Sequence, residues 1–157
     1  MKVRTAITAL CAGFILASCG TAPPVSSPAN SQSRAVPSDL EERFVYQMVF
    51  SLRDSFVSRD GASFMKHVSE GFYLGRERLA RNLEAEFVAT GEDTLDVDII
   101  EVIVDDPRVT AVVSWARRPA GGGAPSKAGT TELIFQKGDT LSLVNFHGDV
   151  LFGITGF

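Results

Sequence analysis

Cysteine is scarce in this sequence: of 157 residues, only Cys11 and Cys19 carry a thiol. A domain formed after residue 19 has no internal disulfide available and must hold together by its core. Histidine is as rare. His67 and His147 stand far apart, and no pair of ligands shows zinc-type spacing, so no metal is expected. No cofactor motif appears either, since Gly121-Gly122-Gly123 is followed by neither Lys-Ser/Thr nor a helix and cannot cradle phosphate. Seven acidic residues lie between Glu92 and Asp106, but without the spacing or glycine of a calcium loop. Positive charge is in deficit as well, with 15 basic residues against 19 acidic ones. Arg76, Arg78 and Arg81 alternate with Glu77, Glu84 and Glu86 as on a solvated helix face, so nucleic acid is not an expected partner.

A long hydrophobic run is also missing. The apolar stretch from Ala6 to Ala17 makes roughly 18 Å of helix, too short for a bilayer core of ~30 Å. Lys2 and Arg4 precede it and small residues end it, the pattern of a secretory signal peptide. Its last residues, Leu16-Ala17-Ser18-Cys19-Gly20, resemble the lipobox of bacterial lipoproteins. The resemblance implies cleavage before Cys19, a diacylglycerol thioether on its sulfur, and an acyl group such as palmitate on its new amino group. Two or more acyl chains anchor stably, since each buried methylene adds about 0.8 kcal/mol. The implied location is membrane-anchored and periplasm-facing. Gly20 in place of Asp resembles an outer-membrane destination. Loss of Lys2 and Arg4 leaves 13 basic residues against 19 acidic, a net charge of −6.

Three segments follow: a signal peptide over 1–18, a lipidated cysteine with a tether over 19–38, and one domain over 39–157. The tether holds four of the seven prolines and five serines without apolar periodicity, so it cannot offset the cost of ordering its backbone. Extended as polyproline II at ~3.1 Å per residue, it reaches roughly 60 Å.

In the domain, Ser38 and Glu41 form a capping box that starts a helix after Pro37. Leu40, Phe44, Val45, Met48, Val49, Leu52 and Phe56 continue it at helical spacing to about Ser58. Asp60 caps a short second helix with Phe64, Met65 and Val68, and Phe72-Tyr73-Leu74 reads as a brief extended piece. A third helix spans Arg76 to Val88, with Leu79, Leu83 and Phe87 in register. The period then changes to two, giving strands over Leu95–Asp105, Val109–Arg117, Thr130–Lys137 and Thr140–His147. The tail from Val150 to Phe157 has the composition of a last short strand. Helices first and an antiparallel meander second make an α+β fold, three helices packed on a curved sheet.

This order resembles the nuclear-transport-factor-2-like (SnoaL-like, cone-shaped) superfamily. The carrying features are the long first helix, Arg59-Asp60-Gly61 at its end, Gly71-Phe72-Tyr73-Leu74-Gly75 before the third helix, and the closing hairpin. The resemblance implies a conical pocket, used by some members for isomerase, cyclase or dehydratase chemistry and by many only for binding. Ketosteroid-isomerase-like members place a catalytic carboxylate near the end of the short first strand. Here Tyr73, Leu74 and Gly75 stand there, so no catalytic residue is assigned.

Alternation along the strands supplies candidate cavity residues instead. Glu101 interrupts the apolar face of Leu95, Val97, Ile99 and Ile103 and reads as a partly buried carboxylate. Trp115 follows Val109, Ala111 and Val113 on one face, and Asn145 and His147 follow Leu141 and Leu143. The four are expected to converge as polar points in an apolar pocket. The reading is therefore a membrane-tethered domain that binds a small apolar ligand or an envelope protein without catalysis. Its alternatives are a SnoaL-like isomerase, hydrolase or dehydratase using Glu101 or His147, and a structural subunit that forms a homodimer.

Overall fold

The computed structural model describes residues 38–89 and 93–153. The expected signal peptide, Cys19 and the tether before Ser38 lie outside the described residues. Three helices, α1 (Asp39–Val57), α2 (Gly61–Lys66) and α3 (Arg76–Ala89), precede four strands, β1 (Thr94–Asp105), β2 (Arg108–Arg118), β3 (Lys127–Gln136) and β4 (Ser142–Gly148). The strands pair in sequence order, each antiparallel to the next. The expected α+β fold is what forms.

Helix α1 begins where the capping box sets it. Ser38 Oγ accepts from the Glu41 N–H at 3.2 Å, and Glu41 Oε2 accepts from the Ser38 N–H at 3.0 Å, satisfying two donors that the first turn leaves unpaired. The helix ends in a Schellman motif: Asp60 N–H donates to Ser55 O and Arg59 N–H to Phe56 O, with Arg59 in the left-handed region at φ 58°. Of the apolar stripe, Val45, Val49, Leu52 and Phe56 are buried under the sheet. Leu40 and Phe44 stay exposed, so the stripe is wider than the face the sheet covers.

Two β-bulges shape that sheet. In β1 the register passes from Ile99 opposite Val113 to Glu101 opposite Val112, leaving Ile100 as an extra residue. In β4 it passes from Leu143 opposite Phe135 to Asn145 opposite Ile134, with Val144 extra. Each bulge bends its strand and exchanges the two faces beyond it. The buried series in β1 accordingly runs Leu95, Val97 and then Val104, and in β4 Leu143 and then Phe146.

One expected strand does not form. The piece over Phe72–Leu74 is a turn, because Phe72 N–H donates to Ser69 O and Gly75 N–H to Phe72 O, with Gly75 at φ 84°. The chain still docks on β4: Tyr73 N–H reaches the carbonyl of the bulged Val144 at 2.9 Å, and Val68 bridges Leu143 in parallel. In the tail, residues 149–153 bend back over the core, and the rest of the expected last strand, 154–157, lies outside the described residues.

That return is stapled at several points. Thr130 and Asp149 exchange bonds at 2.9 Å, Thr131 Oγ1 donates to Asp149 O at 2.7 Å, and Trp115 Nε1 donates to Thr131 Oγ1 at 2.9 Å. Gly148 makes the turn at φ 102°, where a Cβ would fall 2.6 Å from Thr130 O. Phe152 then meets Phe56 and Phe64 at centroid distances of 5.3 and 4.9 Å.

Arg117 lies under this segment, 2 % exposed, paired with Glu86 of α3, donating from Nη2 to Leu151 O at 2.8 Å and stacked over Phe56. A buried pair loses more when one partner is removed than when both are replaced by apolar groups. Glu86→Ala is expected to destabilise the fold by about 3–5 kcal/mol, and Glu86→Leu with Arg117→Met by much less. Denaturant unfolding of both variants checks this; equal losses would mean that the pair acts only through volume.

Candidate functional site

A partly open cavity of about 450 Å³ lies between the first half of α1 and the β3–β4 hairpin. Its volume falls in the range of small-molecule sites, roughly 300–1,000 Å³. Val45, Met48, Val109 and Leu141 form apolar walls, and Phe44, 51 % exposed, stands at the rim. The space exists because α1 presents a wider apolar stripe than the sheet covers, while the hairpin after Lys137 stands against its outer edge.

Polar residues, among them Glu41, Gln47, Ser51, His67 and Lys137, alternate with these walls. Lys137 pairs with Glu41 in the first turn of α1 and lies 3.2 Å from Asp106 in the β1–β2 turn. Its own N–H donates to Pro107 O at 2.8 Å, fixing one hairpin to the other. The Lys137 ammonium, with the Ser38 backbone and hydroxyl, holds the Glu41 carboxyl down to about 2, and the two carboxylates hold Lys137 above its ordinary value. His67 forms part of the opposite wall as the C-cap of α2, its carbonyl accepting from Leu143 N–H at 2.8 Å. Partial burial, then the neighbouring Lys66, push the imidazole below its usual 6.5, which favours the neutral ring at pH 7.

The four candidates named from strand alternation do not converge. Trp115 lies inside, 5 % exposed, but its indole N–H is taken by Thr131 and it does not line this cavity. Glu101 stands exposed on the outer face, because the bulge at Ile100 reverses the alternation that placed it inside. Asn145 and His147 are on that outer face too, carried there by the bulge at Val144, with Asn145 Nδ2 3.1 Å from His147 Nε2. The register sets Glu101, Val112, Glu132 and His147 in one row across the outer sheet. The expected inward carboxylate at Glu101 and inward imidazole at His147 are thus corrected.

The residues that do line the cavity were hidden for a definite reason. His67 sits at the end of a six-residue helix, and only the Val68–Leu143 bridge brings it to β4. Its placement at a helix end was legible; its place in a cavity wall was not. Glu41 announced itself as a capping residue, and its second partner, 96 positions away, gave no local signal. Among the described residues no group of three or more His, Cys, Asp or Glu could hold a metal ion.

Glu41 and His67 each give a pH signature. With Glu41 below its unfolded value of 4.5, its contribution to stability is complete above that value and is lost as pH falls toward 2. With His67 below 6.5, protonation in the folded state is resisted, so a cost to stability grows as pH falls through and below 6.5. NMR titration is expected to place the Glu41 carboxyl midpoint near 2 and the His67 midpoint below 6.5. A Glu41 midpoint near 4.5 would show that the link to Lys137 does not persist in solution.

No family model matches the chain, and no curated protein matches it. Solved structures match its fold. A putative calcium/calmodulin-dependent protein kinase type II association domain from Thiobacillus denitrificans aligns at TM-score 0.60 and 17% identity, over 66% of this chain and 91% of that one. A Nostoc punctiforme protein of unknown function with a cystatin-like fold aligns at TM-score 0.63 and 9% identity, over 73% and 93%. An NTF-2-like protein of unknown function from Shewanella oneidensis aligns at TM-score 0.56 and 12% identity, over 68% and 97%. At such identities the likeness is one of fold, and by that measure the chain has the α+β fold of the NTF-2-like proteins, helices followed by a curved four-stranded antiparallel sheet.

Proposed function

We propose that this chain is a lipid-anchored envelope protein whose folded domain binds a small apolar ligand, without catalysis, in the cavity between α1 and the β3–β4 hairpin. The observation that carries the binding reading is the cavity itself: about 450 Å³, with Phe44, Val45, Met48, Val109 and Leu141 as apolar walls between polar residues. Glu41 and Lys137 are committed to each other, which suits a gate or rim better than an acid–base pair. The anchor rests on the sequence Leu16-Ala17-Ser18-Cys19, and the proline- and serine-rich stretch after it supplies the reach. Should turnover be found, His67 is the histidine placed to act in this cavity, in place of Glu101 or His147.

Filling the cavity tests the binding reading. Leu141 is half-buried in its wall, so Leu141→Trp places an indole where a ligand would sit. A neutral apolar dye such as N-phenylnaphthylamine is expected to bind the native chain one to one and the variant at least about tenfold more weakly, a difference of 1.4 kcal/mol. Equal affinities would remove the cavity as the site. Palmitate labelling tests the anchor: Cys19→Ser is expected to abolish incorporation and release the protein from the membrane fraction, and retained label would refute lipidation at that position.

A further inference from the structure

We propose that the cavity selects a molecule with an apolar body and a cationic amine head and refuses the corresponding carboxylate; this rests on the ligand-binding reading above. The argument is one of charge already spent. Lys137 is the cation in the lining, and it is held by Glu41 and, at 3.2 Å, by Asp106. Asp139, exposed on the hairpin, adds a second carboxylate to the lining beside Glu41. His67 contributes no positive charge at pH 7, because its burial favours the neutral ring. In the lining, the carboxylates of Glu41 and Asp139 stand against the single ammonium of Lys137, which Asp106 also contacts from outside.

An anionic head entering this space would lose its hydration and find the lining ammonium already paired, a cost that an apolar wall cannot return. An ammonium head would instead meet the carboxylate of Asp139 and the net negative charge of the Glu41–Lys137–Asp106 cluster. The half-exposed ring of Phe44 at the rim adds a face of the kind that attracts cations. The apolar body would lie on Val45, Met48 and Leu141.

The test uses the full chain and three probes that differ only at the head: 4-phenylbutylamine, 4-phenylbutanol and 4-phenylbutanoate, each titrated at pH 7.5 and low salt. Binding is read from the methyl resonances of Met48 and Leu141. The amine is expected to bind at least about tenfold more tightly than the carboxylate, with the alcohol between them and the gap narrowing as salt screens the rim. Asp139→Asn, at an exposed position, is expected to shrink the amine-to-carboxylate ratio by about two- to threefold. A carboxylate that binds as well as the amine, an alcohol equal to the amine, or a ratio unmoved by Asp139→Asn would overturn the head-group preference and leave the cavity standing. If none of the three probes shifts Met48 or Leu141, the ligand-binding reading itself fails.

Discussion

The buried guanidinium of Arg117 organises the closed end of this fold. It is the charged side chain within the core of the described residues, and three separate pieces of chain come to it: Glu86 from α3, the Leu151 carbonyl from the returning tail, and the Phe56 ring from α1. A charge in such a place is tolerated only if its donors are met, so each of those pieces is held where Arg117 needs it. Its Nε has no hydrogen-bond partner in the protein, which leaves the arrangement dependent on the two Nη groups. Gly153 is fitted to the same arrangement, since at φ 75° an added Cβ would fall 2.6 Å from Glu86 Cγ. Phe56, over which Arg117 lies, is itself in ring contact with Phe87 and Phe152, and Phe152 with Phe64.

The other end of α1 is built in the opposite way. Here no buried charge draws the elements together, and the link between helix and hairpins is the partly exposed pair of Lys137 with Glu41 and Asp106. Such pairs add little stability on their own, but they fix geometry at the mouth of a space that side chains leave unfilled. The contrast assigns the two halves of the domain different work. The Arg117 end secures the fold, and the Lys137 end frames a cavity whose walls are apolar and whose rim is acidic.

Much of this architecture follows from local chemistry. Ser38 and Glu41 mark the start of α1, Asp60 caps α2 through Ser63 N–H, and the change from a helical period to alternation locates the sheet. Where local reading missed, the cause was long-range. Phe72–Leu74 has strand composition, but bonds from Phe72 N–H and Gly75 N–H close it into turns against β4. Alternation assigned Glu101, Asn145 and His147 to the interior, and a single extra residue in each strand, Ile100 and Val144, carried them to the outer face. Composition does not reveal a bulge when both faces of a strand are apolar, as they are around Ile99–Val104.

Local chemistry alone thus sets the three helices, their caps and the order of the four long strands, because these depend on contacts within a few residues. Which side chains meet was settled by the tertiary fold. Arg117 finds Glu86 across 31 positions, Lys137 finds Glu41 across 96, and His67 reaches its wall through a bridge to Leu143. Those meetings depend on where two bulges bend the sheet and on how the chain returns over it, and neither is encoded at the residues that come together.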